Sequence, residues 1–512
     1  MVGTGRRARG RAHYAHAVAA AEPVVETELG RVRGRLHHEH SGVAVWRGIP
    51  FAAPPVGPLR FGAPRPAEPW AGIRDAGQNG FAAVQAPRLR PGPLKVWLGA
   101  RRSRSEDCLT LNVFAPAAAA APRPVVVWIH GGSFSSGNGG NYDAAGLVER
   151  GDIVFVAVNY RLGAFGFLNL DDALGSHEHI AHNAGLLDQR AALQWVHRNI
   201  AAFGGDPGRI TVAGHSAGSG SAVMHLASAG SRGLAHRMIA QSGALSLAAT
   251  REDAARTARQ VLDTLGISRE RSGELWKIPA STLLAASLRV QSRRSGSLAT
   301  RPWWDGDVLP ASLADAYGAV EPVPLMIGTT LHEHRAFTKP RTDIMPLSRA
   351  ALATSLTESF GWADACEILD QYPIDKDGLN DLGSDFVFHM PSVHLADRMA
   401  EQAPVWKYRV DYGRGVLGLG AFHAIELMLL FPVPPRWDRL FLGPPGAERD
   451  ALAERFSRAW LDFAAGRDPG GTWPAYTVPE RATKVFDDAD RVETDPGAAR
   501  RQAWAGRDAI IH

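Results

Sequence analysis

The chain has 512 residues, 45% of them hydrophobic and 21% charged, which is typical of a globular protein with a large core. There are 56 basic and 52 acidic side chains, so the net charge is only +4, and this scattered excess argues against a nucleic-acid-binding protein. The two cysteines, Cys108 and Cys366, exclude a disulfide framework, and no run of about 18 apolar residues predicts a membrane span.

The first 23 residues combine arginines with a weakly apolar alanine patch. They lack the strongly apolar core of a signal peptide, so we interpret residues 1–23 as a disordered basic leader and expect a cytoplasmic protein. A second basic stretch, Arg88 to Arg104, is interrupted by proline and glycine. This pattern favours a solvated loop over a positive rim that would attract anionic substrates.

From Val24 onward, strand patterns alternate with helix patterns. In chain order, we predict strands at TLNVFA, PVVVWIHGG and IVFVAVNYRLG, a helix at LLDQRAALQWVHRNIAAFGG, a strand at RITVAG, a helix at AGSGSAVMHLASAG, strands at HRMIAQSGA and VPLMIGTT, and a helix at DALAERFSRAWLDFAAG. This alternation predicts an α/β protein with a large, mostly parallel twisted sheet flanked by helices, and with helical insertions. The sequence shows no linker that would separate two units, so we predict one domain over residues 24–512.

The segment Gly214–Gly218 reads G-x-S-x-G between a predicted strand and a predicted helix. Small neighbours permit the sharp turn that lifts Ser216 away from the sheet. The turn also places its hydroxyl at a helix N-terminus, where free N–H groups favour developing negative charge. This context favours a nucleophilic serine over a passive serine in a glycine-rich turn.

A second glycine turn, His130 to Phe134, follows the predicted strand that ends at Ile129. Its two glycines allow the backbone to approach a substrate and to direct N–H groups at it. The residue after a nucleophile, here Ala217, supplies another N–H group. The two turns together predict an oxyanion hole, whereas one glycine turn alone would indicate only a tight bend.

A nucleophilic serine of this type requires an acid and then a histidine further along the chain. Glu333 lies just beyond a predicted strand, and His423 follows a Gly/Ala turn. Each residue alone is weak evidence, because loop glutamates are usually solvated and single histidines are usually structural. Spacing does not choose among the histidines after the serine, which also include His332, His334, His389 and His394.

Together, the ordered motifs resemble the type-B carboxylesterases, which include bacterial para-nitrobenzyl-type esterases and the cholinesterases. The resemblance runs from about Val24 almost to the C-terminus and includes VWRGIPFAAPPVGPLRF, SEDCLTLNVFAP, NYRLGAFGFL, AQSGA and DGDVLP. It implies the α/β-hydrolase fold, with helical insertions that form an active-site gorge. It also implies hydrolysis of carboxylic esters through an acyl-enzyme, with no metal or organic cofactor.

The resemblance assigns a catalytic triad of Ser216, Glu333 and His423. Glu333 matches the family motif G-T-x-x-x-E, and His423 matches G-x-x-H-x-x-E. The implied oxyanion-hole donors are the N–H groups of Gly132, Ser133 and Ala217. The resemblance further implies a structural ion pair between Arg47 and Glu106.

The chain departs from the family pattern in three respects. Cys108 pairs with an upstream cysteine in eukaryotic members, but no cysteine precedes it here, so we expect a free, buried thiol. Position 215 is histidine where most members have glutamate, which we expect to change the surroundings of His423 or the pH optimum. The aromatic site that binds choline in cholinesterases is not identifiable, so choline esters are not predicted.

The complete set of motifs argues against a catalytically silent adhesion or interaction module, because such members typically lack the serine or the histidine. The triad leaves open whether the activity is that of an esterase, a lipase, a thioesterase or an amidase. We expect a monomer that acts on a small-molecule ester and binds no nucleic acid.

Overall fold

The computed structural model describes residues 22–86, 103–118, 121–175, 178–293, 298–338 and 348–507. All but the last two residues of the predicted leader lie outside these ranges, and so does most of the basic stretch from Arg88 to Arg104. The strands are β1 (Val24–Thr27), β2 (Gly30–Arg33), β3 (Arg35–Leu36), β4 (Val43–Pro50), β5 (Ile73–Asp75), β6 (Thr110–Pro116), β7 (Arg123–Ile129), β8 (Val154–Val158), β9 (Gly205–His215), β10 (Arg237–Gln241), β11 (Leu325–Thr330), β12 (Val405–Val410), β13 (Thr483–Phe486) and β14 (Arg491–Glu493).

Helices connect and cover these strands. The α-helices in the described ranges are Ala145–Gly151, Ala164–Phe167, Leu170–Leu174, Ala184–Asn199, Ala217–Ala227, Arg251–Leu265, Ala280–Arg293, Leu313–Ala319, Arg335–Thr338, Arg349–Phe360, Trp362–Leu369, Lys376–Ser384, Met390–Ala400, Leu427–Leu430, Pro435–Leu442, Ala447–Ala464 and Ala498–Ala503. A π-helix, Asp385–His389, joins two of them. Within the described ranges, none of these helices combines the length and the apolar character needed to cross a bilayer.

The main sheet has the strand order β14-β13-β12-β11-β10-β9-β7-β8-β6-β4-β3. Strands β13 to β8 in this order run parallel to one another. The remaining strands pair antiparallel at the two edges of the sheet. A separate small sheet has the order β1-β2-β5. The predicted large, mostly parallel sheet is therefore present.

Uninterrupted apolar runs form the central strands. Every residue of β7 and β8 is buried, as expected for parallel strands that are covered by helices on both faces. The predicted amphipathic helix is also present, as Ala184–Asn199, and it continues into a 3₁₀ turn that ends at Gly204. Gly204 has a φ of +80°, a conformation that glycine adopts without strain at a helix end.

The structure corrects one expectation about ion pairs. Glu106 pairs with Arg60 rather than with Arg47, through two hydrogen bonds of 2.7 Å from Nε and Nη2. Arg60 is anchored further because its Nη1 donates to the carbonyl groups of Leu275 and Ile278. Arg47 lies on β4, where its guanidinium stands 5.7 Å from the centre of the Phe114 ring. Arg60, in the segment after β4, therefore reaches Glu106, whereas Arg47, within β4, does not pair with it.

A second ion pair is fully buried beside the sheet. Arg161 donates from Nε and Nη2 to Asp188 at 2.7 and 2.6 Å, and its backbone N–H donates to the same carboxylate at 3.0 Å. Asp188 belongs to the helix Ala184–Asn199, so the pair fixes the segment after β8 to this helix. Cys108 is buried and free, as predicted, and burial raises the pKa of its thiol.

The buried pair gives a prediction about stability. Replacing Asp188 by alanine should lower the free energy of unfolding by about 3–5 kcal/mol, because Arg161 would remain buried without its counter-charge. Replacing Glu454, whose ion pair with Arg458 is exposed, should change it by at most about 0.5 kcal/mol. Denaturant unfolding of both variants measures the difference, and similar losses would contradict this view of the pair.

Candidate active site

The candidate residues gather where parallel strands end. Ser216 directly follows β9, and the turn that begins at His130 follows β7. Ser242 follows β10, and Glu333 lies three residues after the end of β11. Carboxyl ends of parallel strands meet at one edge of a sheet, which is where open α/β sheets bind their ligands.

The turn at Ser216 is strained. Ser216 has a φ of 58° and a ψ of −126°, a backbone conformation that non-glycine residues rarely adopt. Its N–H donates to the carbonyl of Gln241 at 2.8 Å, and its carbonyl accepts from Gly220 at 2.9 Å. A side chain at Gly218 could not be accommodated, because its Cβ would lie 2.1 Å from the carbonyl oxygen of Ile129. The small residues are therefore required for the turn that presents Ser216 at the start of a helix.

The second glycine turn lies against this serine. A Cβ at Gly131 would be 2.5 Å from the carbonyl oxygen of His215 and 3.2 Å from the Cβ of Ser216. Gly132 has a φ of 122°, and Ser133 has a φ of 57°, so the backbone here is in the left-handed half of conformational space. Within the described part of the chain, no residue accepts a hydrogen bond from the N–H of Gly132 or Ser133. These donors are available to a bound oxyanion.

His130 supports this turn but does not belong to the acid–base chemistry. Its ring stacks on Tyr160 at 4.5 Å, and its Nδ1 lies 2.9 Å from the carbonyl oxygen of Gly131. Burial lowers the pKa of His130 to about 4, which keeps the ring uncharged at neutral pH. The first residue of the motif is therefore structural.

Glu333 and His423 form the central contact of the site. His423 Nδ1 lies 2.6 Å from Glu333 Oε2, and both residues are buried. The other carboxylate oxygen, Oε1, accepts hydrogen bonds from the hydroxyl of Ser242 at 2.6 Å and from the N–H of Thr330 at 2.7 Å. The carboxylate is thus fixed in orientation and holds the imidazole through one nitrogen.

This environment keeps Glu333 ionised. Burial alone would raise its pKa, but the charge and the hydrogen bond of His423, together with the hydrogen bond from Ser242, lower it below the ordinary value. A depressed carboxyl pKa in the folded state stabilises the protein above the pKa of the unfolded chain. This contribution is lost as the pH falls through the folded-state pKa, so acid should weaken both the Glu333–His423 pair and the fold.

Two of the other candidate histidines, His332 and His389, make different contacts from His423. His332 accepts a hydrogen bond from the N–H of Ala421, and burial together with Arg335 lowers its pKa to about 4. His389 contacts Asp385 through Nδ1 at 2.7 Å and the carbonyl oxygen of Thr330 through Nε2 at 2.8 Å. Neither of these contacts is with Glu333.

Two residues of this network, Ser242 and Thr330, were not predicted from the sequence, and a third, His389, was only one of the histidines among which spacing did not choose. Ser242 is the central residue of the segment AQSGA, and its φ of 51° marks a sharp turn directly after β10. Like Ser216, Ser242 directly follows a parallel strand, and this position is the feature from which its place in the site could have been predicted. His389 lies at the end of a π-helix and contacts the carbonyl oxygen of Thr330. A π-helix is a local irregularity that the periodicity of a sequence does not predict.

Aromatic rings enclose His423. The ring of Phe388 lies 4.7 Å away between centroids, that of His215 lies 4.6 Å away, and that of Phe337 lies 5.2 Å away. This packing limits rotation of the imidazole and excludes water from its buried side. Within the described ranges, no cluster of three histidine, cysteine, aspartate or glutamate side chains could hold a metal ion.

Comparisons with known proteins agree with this geometry. The model of the carboxylesterase family matches residues 21–504. The chain is 37% identical to the para-nitrobenzyl esterase of Bacillus subtilis (strain 168) over 490 residues, which cover 94% of this chain and 98% of that protein. It is 33% identical to the liver carboxylesterase of Sus scrofa, over 90% of this chain and 89% of that enzyme.

Solved structures give the same result. A thermophilic PNB esterase superimposes with a TM-score of 0.87 at 36% sequence identity, covering 94% of this chain and all of that one. The Geobacillus stearothermophilus carboxylesterase EST55 at pH 6.8 superimposes with a TM-score of 0.80 at 37% identity, covering 94% of this chain and 99% of that one. The α/β-hydrolase fold predicted from the motifs is confirmed.

The contact between the two turns gives a prediction. Alanine at Gly131 would force the backbone of His215 or the side chain of Ser216 to move, because the added Cβ has no space. Labelling of Ser216 by a fluorophosphonate should then slow about 100-fold, as for a comparable misplacement of reacting groups. Gly273 has open space around it and serves as the control, so Gly273→Ala should label at the wild-type rate. Equal rates for both variants would contradict the assigned contact.

Proposed function

The chain belongs to the carboxylesterase family and is an ester hydrolase, and we propose that it cleaves carboxylic esters through a triad of Ser216, His423 and Glu333. The observation that carries this proposal is the buried 2.6 Å contact between Glu333 and His423, at the same sheet edge as the strained turn of Ser216. A carboxylate that orients a histidine beside a serine is the arrangement that activates a serine hydroxyl.

In the proposed first half-reaction, His423 takes the hydroxyl proton of Ser216 while the serine oxygen attacks the ester carbonyl carbon. Glu333 holds Nδ1 of His423, which leaves Nε2 as the base, and it stabilises the imidazolium that forms. His423 then gives the proton to the leaving alcohol, and an acyl-enzyme remains on Ser216. Water, activated by His423 in the same way, attacks the acyl carbonyl and releases the carboxylic acid.

The negative charge of each tetrahedral intermediate would be stabilised by three backbone N–H groups. Gly132 and Ser133 contribute one each from the glycine turn, and Ala217 contributes the third at the start of the helix Ala217–Ala227. Donors that are fixed before the reaction need no reorganisation when charge develops. The helix N-terminus adds a favourable partial positive charge.

The substrate class follows from the family and stays broad. Relatives include a para-nitrobenzyl esterase and a fumonisin B1 esterase, which are named for different esters. We infer a small-molecule carboxylic ester as substrate and a single hydrolase domain over residues 24–512. The continuous main sheet and the family match over residues 21–504 support this domain assignment.

Replacement of Ser216 by alanine, or of His423 by glutamine, tests the proposal. Either change should lower kcat/KM for a p-nitrophenyl ester by several orders of magnitude, because the nucleophile or its base is lost. Ser216→Ala should also abolish fluorophosphonate labelling. His332→Gln is the matched control for the histidine, and it should retain the fluorophosphonate label.

Hydrolysis that persists within tenfold of wild type in folded Ser216→Ala would contradict the proposal. So would labelling of the wild type at another residue. Short- and long-chain p-nitrophenyl esters, a thioester and an anilide, measured on the same preparation, separate esterase activity from the lipase, thioesterase and amidase alternatives.

A further inference from the structure

A second acid and a second histidine lie beside the proposed triad. Glu426 Oε1 is 3.5 Å from His215 Nε2, and both residues are completely buried. His215 is the last residue of β9, and Glu426 directly precedes the short helix Leu427–Leu430. Neither ring nitrogen of His215 has a hydrogen-bonded partner within the described part of the chain. The catalytic scheme above uses neither residue.

Of this second pair, His215 contacts the proposed base directly. The rings of His215 and His423 are 4.6 Å apart between centroids. His215 also precedes Ser216 in the chain, and its carbonyl oxygen is the atom against which Gly131 packs. Any charge on His215 would therefore act on His423 across a few ångströms of protein interior, where water does not screen it.

The groups that face this pair come from several elements. Glu426 faces the carboxylate of Glu333, the side chains of Gln241 at the end of β10 and of Ser242 directly after it, and the hydroxyl of Tyr408 on β12. His215 faces His423. Within the described ranges, no lysine or arginine forms an ion pair with either member.

The surroundings disfavour charge on both members. A carboxylate at Glu426 would be buried and close to the anionic Glu333, and an imidazolium at His215 would be buried against His423. Burial and the charge of Glu333 raise the pKa of Glu426 to about 8, and burial and His423 lower the pKa of His215 well below its ordinary value. At neutral pH, the proton therefore resides on Glu426, whose carboxylic acid faces His215 Nε2 at 3.5 Å.

We propose that His215 and Glu426 form an uncharged pair, a neutral imidazole facing a carboxylic acid, which positions His423 and keeps a second negative charge away from it. This inference rests on the proposed role of His423 as the base. Glutamate at position 215, which the family resemblance gives as the common residue, would place a carboxylate where this chain has a neutral ring. A carboxylate there favours the protonated form of His423, which cannot act as a base. The histidine thus lets the enzyme work at lower pH.

The test is the acidic limb of the pH profile of kcat/KM. His215→Glu should move this limb to higher pH by about 1–3 units, the effect expected of one new negative charge within about 4–6 Å. His215→Gln, which is neutral, should leave the limb at its wild-type position. His38→Glu changes the net charge equally at an exposed site and should also leave the limb in place.

An infrared difference spectrum tests the protonation state without requiring activity. Wild type minus Glu426→Gln at pH 7 should show the carbonyl band of a carboxylic acid, which disappears as the pH rises through about 8. A difference spectrum with only carboxylate bands, or an unmoved limb in folded His215→Glu, would overturn the inference. Fluorophosphonate labelling of the wild type separates these results, because failure of the proposed triad abolishes that labelling and failure of this inference does not.

Discussion

The site depends on one buried hydrogen bond, the 2.6 Å contact between Glu333 and His423. Burying a carboxylate is costly unless its oxygens are satisfied. Here the Ser242 hydroxyl and the Thr330 N–H supply the remaining hydrogen bonds, at 2.6 and 2.7 Å. Glu333 therefore stays ionised, although no lysine or arginine of the described residues pairs with it, and its charge is directed at the imidazole.

The sheet makes this contact possible. Parallel strands β7, β9, β10 and β11 lie side by side, so the residues that follow them reach one edge. In the proposed mechanism, each of these strand ends would supply a different group: N–H donors after β7, the hydroxyl of Ser216 after β9, a hydrogen bond to Glu333 after β10, and Glu333 itself after β11. Strain at Ser216 and Ser133 is tolerated because neighbouring backbone groups fix both turns. The neutral pair of His215 and Glu426 would then adjust the charge that His423 experiences.

Much of this arrangement could be predicted from the sequence. Apolar runs identified β7 and β8, and the glycines around Ser216 identified the turn, because both features follow from local packing and backbone sterics. Spacing could not choose His423 over His389, since that choice depends on contacts formed only in the folded chain. The predicted partner of Glu106 was wrong for the same reason. Both Arg47 and Arg60 precede Glu106 in the chain, but it is the fold that brings Arg60 into contact with Glu106. The roles of Ser242 and Thr330 required the register of neighbouring strands.

Replacing Glu333 by glutamine tests the central claim most directly, because it preserves the shape of the side chain and removes its charge. The account predicts that kcat for a p-nitrophenyl ester falls by about 10⁴-fold, as when the acid of a serine triad is converted to its amide. Glu454→Gln, at an exposed position, should retain wild-type kcat. A folded Glu333→Gln enzyme that retains kcat within tenfold of wild type would contradict the account.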